Sequence, residues 1–194
     1  MIRNILCTVL LSILTLVGFA TEHDSVLVAP NNWIAEIIPF PLGFAREIEF
    51  TGIEDLRFAP HWSDSTSEAF WTYAFVWYID QIQPMTEESL THNFNLYYDG
   101  LMGVNDAPPS GNQPNSKLEK TITTFHKTPN GFTGEMRVYD RFFTKHYMTL
   151  YIQVTQRICA KTKKQIIRCN ISPKQMSHSI WNIFKNVTEE VNCP

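Results

Sequence analysis

The sequence predicts one α+β domain, an antiparallel sheet covered by helices on both faces, and three observations carry that expectation. Residues 70–79 are apolar on both faces of a strand, a helical pattern with a cap follows from Thr86, and strand and turn signals then alternate up to Ile171 before a last amphipathic stretch. A strand that is apolar on both faces needs cover on both sides.

Before Phe70 the chain reads as short extended pieces broken by Pro30, Pro39, Pro41 and Pro60, with Arg46–Phe50 and Asp55–Phe58 as the strand candidates. Along Phe70–Ile79, Trp71, Tyr73, Phe75, Trp77 and Ile79 share one face, and Ala74, Val76 and Tyr78 the other. Thr86 is placed to cap a helix whose first turn carries Glu87 and Glu88, where acids favour the helix dipole. Leu90, Phe94, Tyr97 and Leu101 recur at helical spacing, and Gly103 suits a stop.

Residues 103–116 hold several turn-formers and little apolar content, which predicts an exposed loop. Leu118–Lys127 and Phe132–Phe142 then flank Pro129-Asn130-Gly131, a hairpin turn in which proline presets φ and glycine accepts a positive one. His146–Gln156 and Gln165–Ile171 complete four antiparallel strands. Ser172-Pro173 is read as the start of a terminal helix with Met176, Ile180, Phe184, Val187 and Val191 along one stripe.

This element order resembles the sandwich of PsbP-type accessory proteins, in which a curved antiparallel sheet lies between helices. The resemblance implies a fold and transfers no functional residue. The aromatic stretch 70–79 also looks like those of uncharacterised secreted bacterial proteins.

Residues 1–20 read as a signal peptide. Arg3 supplies the positive start, Ile5–Phe19 the apolar run, and Gly18-Phe19-Ala20 small residues for cleavage. The run is shorter than the ~20 residues a spanning helix requires. Cys7 lacks the small residue before it that lipidation needs. The expected product is a secreted or periplasmic protein, residues 21–194 as a single domain, with no transmembrane segment in the mature chain.

Charge divides the chain. From Thr21 to Asp106, two basic residues face fourteen acidic ones, and from Ala107 onward thirteen basic residues face five acidic ones. Either the halves neutralise each other within the domain, or Arg157, Lys161, Lys163, Lys164 and Arg168 form a basic hairpin, 157–168, that meets an anionic partner or membrane surface. The acidic total and the expected export argue against nucleic acid.

Among the cysteines, Cys159 and Cys169 stand symmetrically about Lys164, so a three-residue hairpin loop would make them cross-strand disulfide partners; Cys193 is the alternative partner. No catalytic signature appears. His61 with Asp64 is the nearest thing to a catalytic pair, since a carboxylate can orient an imidazole, but two residues do not make a site. His92, His126, His146 and His178 have no metal-ligand spacing, so no metal and no cofactor is expected. Trp62, Trp71, Tyr73, Trp77 and Tyr78 suit core packing as well as a platform for sugars or a lipid pocket; Trp62, in a polar loop, stands apart as a binding candidate. The leading expectation is therefore a non-enzymatic binding or accessory domain for a protein or small ligand. The alternatives are a hydrolase-like enzyme using His61 and Asp64, and an anionic membrane-surface binder.

Overall fold

The computed structural model describes residues 25–104, 118–191 and 193. The signal-peptide reading of residues 1–20 and most of the loop read at 103–116 fall outside them. Seven strands form one antiparallel sheet in the order β2-β3-β4-β8-β7-β6-β5, namely β2 (Ile34–Pro39), β3 (Gly52–Phe58), β4 (Tyr73–Ile79), β5 (Ile122–Thr128), β6 (Gly131–Tyr139), β7 (Tyr147–Cys159) and β8 (Lys164–Ser172). A two-stranded ribbon pairs β1 (Leu27–Val28) with β9 (Thr188–Glu189).

Strand β4 lies in the interior of the sheet, with Phe75 opposite Leu56 of β3 and Cys169 of β8. Its alternation sends Tyr73, Phe75, Trp77 and Ile79 into the core under α1 (Glu87–Leu101), and Ala74 and Val76 into a smaller core on the opposite face. The helix starts where Thr86 accepts the Ser89 backbone N–H and Ser89 answers to the Thr86 N–H. Its buried stripe, Leu90, Phe94, Tyr97 and Tyr98, packs on the aromatic face of β4, each large side chain contributing roughly 1.5–3 kcal/mol of burial. The helix also carries the chain from β4 to the far edge strand β5.

The opposite face overturns the two-helix sandwich. It is covered by the β1–β9 ribbon and a 3-10 helix (Ser179–Asn186), so that among the described residues only one α-helix packs on the sheet. The stripe read as a terminal helix is divided among different elements. Ile171 and Ser172 stay in β8, paired with Ile152 and Tyr151. The 3-10 helix begins only at Ser179, where His178 Nδ1 accepts the Ile180 N–H. Phe184 and Val187 are buried three residues apart, a spacing that suits a 3-10 turn, and the β-branched Thr188 then enters a strand.

Strand β2 also departs from expectation. Arg46–Phe50 forms no strand; it contains a turn in which Ile48 donates to the Ala45 carbonyl. The edge is instead Ile34–Pro39, with Pro39 at its last position, where the lack of an N–H is tolerated.

The β7–β8 register corrects the cysteine geometry. Cys159 opposes Lys164 and Cys169 opposes Val154, so Cys159 and Cys169 are not partners; they lie in the cores of opposite faces. Cys159 bonds to Cys193, the alternative partner, with Cα atoms 5.2 Å apart, stapling the segment after β9 to the sheet, and Cys169 is a buried free thiol.

Gly100 fixes how closely α1 approaches the segment before β3. A Cβ there would lie 1.9 Å from the Phe44 carbonyl oxygen. Alanine in place of helical glycine ordinarily stabilises by about 1 kcal/mol. Here the overpacking term, about 1–3 kcal/mol, works against it at a backbone atom that cannot swing aside. Gly100→Ala should therefore lower the urea midpoint, and a raised midpoint would show that the contact relaxes freely.

Candidate functional site

The helix-side face of the sheet opens beside β2 and β3 into a cleft of about 800 Å³. Alternation along the strands builds its floor: Glu36 and Ile38 from β2, Leu56 and Phe58 from β3 and Tyr73 from β4. Tyr97 and Leu101 bring in the end of α1, and Phe44 stacks edge-on against Tyr97 with ring centres 5.0 Å apart. Two loops supply the remaining wall.

The first loop, residues 59–72, is pinched at its base by hydrogen bonds from Ala59 N–H to the Thr72 carbonyl and from Trp71 N–H to the Trp62 carbonyl. That closure brings Trp62 to 4.3 Å from the Phe58 ring centre and 6.4 Å from that of Trp71. Trp71 adopts φ 50°, a left-handed conformation that a bulky aromatic residue takes only when its surroundings impose it. Its indole is buried, and the Nε1–H has no hydrogen-bond partner among the described residues. A buried donor left unmatched costs about 1–3 kcal/mol.

The second loop is organised by Asp140. Its carboxylate accepts the backbone N–H groups of Phe142 (3.0 Å), Phe143 (3.1 Å) and Thr144 (2.7 Å), and the Thr144 hydroxyl (2.8 Å). Burial works to raise the Asp140 pKa, but these four donors outweigh it and hold the carboxyl below its ordinary value. The turn presents Phe143 to Trp62, with ring centres 5.4 Å apart, and leaves Phe142 half exposed beside Trp71.

Beneath the cleft wall lies Glu54, fully buried. Trp77 Nε1–H donates to one carboxylate oxygen (3.0 Å) and the Tyr97 hydroxyl to the other (3.2 Å). Burial pushes its pKa up to about 8 against those two hydrogen bonds, and the Glu36 charge adds to the rise. Burial likewise drives the Tyr73 and Tyr97 hydroxyls upward, so the aromatic floor stays neutral at physiological pH. Among the described residues Glu36 is the one formal charge lining the cleft.

Of the residues singled out from the sequence, Trp62, Trp71 and Tyr73 come together here, whereas Trp77 is core and Tyr78 lies on the other face. His61 and Asp64 flank Trp62 but are exposed. The Asp64 carboxylate caps its own turn through the Thr66 N–H (2.9 Å) and hydroxyl (2.7 Å), contacts that lower its pKa. Among the described residues no cluster of His, Cys, Asp and Glu could hold a metal ion.

The basic hairpin is partly neutralised. Arg157 pairs with Glu189 at 3.0 Å, Lys164 with Asp80 at 2.6 Å, and Arg168 donates to the Phe184 carbonyl at 2.9 Å. Lys161 and Lys163 stand exposed at the turn. The Lys164–Asp80 pair joins the basic and acidic halves within one molecule.

No protein-family model, curated protein or solved structure matches this chain. Its function has to be read from the cleft itself. Glu36, Phe44, Phe58, Phe142 and Phe143 were not identifiable as site residues from the sequence. The adjacent phenylalanines beside Asp140, out of step with the strand period, were the available signal for that wall.

Proposed function

We propose that this protein is an exported binding domain whose cleft takes one small, largely apolar ligand. The carrying observation is the wall itself: eight aromatic side chains around about 800 Å³, with one formal charge, in a volume typical of ligand sites. Left open, that surface costs hydration free energy that a ligand would recover. The strained, unmatched Trp71 supports the same reading, because a ligand oxygen within reach would satisfy its indole N–H. Export is supported by the residue 1–20 pattern and the Cys159–Cys193 bridge, and no helix among the described residues is long and apolar enough to cross a membrane.

The test is a titration with 1-N-phenylnaphthylamine, a neutral apolar dye that brightens on leaving water. Saturable enhancement at one dye per chain is expected. It should fall at least tenfold in affinity in Leu56→Trp or Leu101→Trp, which fill the cleft. Absence of saturable enhancement, or equal enhancement in folded cleft-filled variants, would contradict the proposal.

A further inference from the structure

We propose that the cleft selects ligands by charge, taking apolar organic cations in preference to neutral molecules and excluding anionic amphiphiles such as fatty acids. This inference rests on the cleft being a ligand site.

Two independent features point the same way. Among the described residues that line the cleft, Glu36 on edge strand β2 is the one formal charge, and no Lys, Arg or His joins it. A carboxylate headgroup could accept from the Trp71 indole N–H but would meet like charge at Glu36, with no cation among the described lining residues to compensate it, whereas an ammonium group would find its counter-ion. The eight aromatic side chains of the lining also supply π-systems, which attract a desolvated cation and repel an anion over their faces. An aromatic enclosure with a single carboxylate at its edge is an arrangement suited to substituted ammonium groups carrying an apolar body.

The wider field agrees. The cleft draws nearly all its lining from the acidic half of the chain, and its contribution from the basic half is Phe142 and Phe143, which are uncharged. Lys161 and Lys163 lie on the β7–β8 turn and do not line the cleft. Attraction at Glu36 weakens with salt, since that residue is solvent-exposed, while ring attraction inside the cleft persists.

The experiment is displacement of bound 1-N-phenylnaphthylamine by three molecules sharing one chain, decyltrimethylammonium, decanol and decanoate, each well below its micelle concentration. The expected order is cation, then alcohol, then anion, with at least tenfold between first and last. Glu36→Gln should shrink that interval several-fold and Glu36→Lys should invert it. Glu36 is exposed at a sheet edge, and a thermal melt checks that each variant folds. If the three displace equally, or if Glu36→Lys leaves the order unchanged, charge selection is overturned while the ligand site stands. If the dye never binds, the ligand site itself fails and the selection with it.

Discussion

Asp55→Ala should destabilise the protein by about 3–5 kcal/mol, because it removes one member of a buried ion pair and leaves the other without compensation. Asp55 is inaccessible to solvent, and its partner Arg57 is 6 % exposed. The same carboxylate accepts the backbone N–H groups of Val26 (2.7 Å) and Leu27 (2.8 Å) and the Ser25 hydroxyl (3.0 Å), while Arg57 donates to the Leu27 carbonyl. One aspartate thereby pins β1 to β3, and through β1 it holds β9 over the face opposite α1. Urea denaturation should show the loss, and amide exchange at Val26 and Leu27 should accelerate by more than at any site in β4. A change under 1 kcal/mol would mean that the ribbon is held by its apolar contacts alone.

The second large effect is a dependence of stability on pH. Glu54 has its pKa raised from 4.5 to about 8, so in the folded protein it keeps its proton across a range where the unfolded chain releases it. The unfolded state then binds fewer protons, and stability falls as pH rises. The contribution is fully present below about pH 4.5, declines at on the order of 1 kcal/mol per pH unit, and is lost once pH passes about 8. The groups acting on the carboxyl among the described residues are Trp77 and Tyr73 from β4, Tyr97 and Tyr98 from α1, Cys169 from β8 and the Glu36 charge from β2, and none of these supplies a cation. Glu54→Gln should remove this slope, because an amide accepts from Trp77, donates to the Tyr97 oxygen and never ionises. Urea midpoints at pH 5, 6.5 and 8 test this directly. Equal slopes in the two proteins would show that another group governs the dependence.

The elements readable in the sequence are those fixed by local chemistry. The apolar run ending at Ile79 needs cover on both faces whatever provides it, and Thr86 followed by two acids and a four-residue apolar repeat specifies α1 by itself. The Pro129-Asn130-Gly131 turn is equally local, with Gly131 at φ 139°, a backbone angle that favours glycine. What was not readable depends on distant partners. Residues 172–191 carry a spacing that a helix would also satisfy, and pairing with Leu27–Val28 together with the bond from Cys193 to Cys159 favours the alternative. Of the two cysteine pairings the sequence allows, Cys159–Cys169 gives way to Cys159–Cys193 for a related reason: Lys163 at φ 57° closes a turn over residues 160–163, which shifts Cys169 away from Cys159.

The cleft was less readable still, because its wall is assembled from strands, helix and two loops that are far apart in the chain. Trp62 stood out as a large aromatic residue in polar surroundings, and the structure gives it neighbours at Phe58, Trp71 and Phe143. Its companions were hidden by ordinary roles. Phe58 is one strand residue among many, and Phe44 becomes a wall residue only because Gly100 lets its backbone approach α1. Glu36 looks like any exposed edge-strand acid until the cleft beside it is seen.

The most direct measurement follows the five tryptophan indole N–H signals in a ¹H–¹⁵N correlation spectrum during titration with decanol, a neutral apolar molecule whose oxygen can accept a hydrogen bond. Trp62 and Trp71 line the cleft, whereas Trp33 and Trp181 pack against the core on the far side of the sheet. Binding in the cleft should move the Trp62 and Trp71 signals in a saturable way, with Trp71 shifting downfield as its unmatched donor gains a partner, while Trp33 and Trp181 stay in place. Movement confined to Trp33 and Trp181, or no saturable shift at Trp62 and Trp71, would contradict the assignment of this cleft as the ligand site.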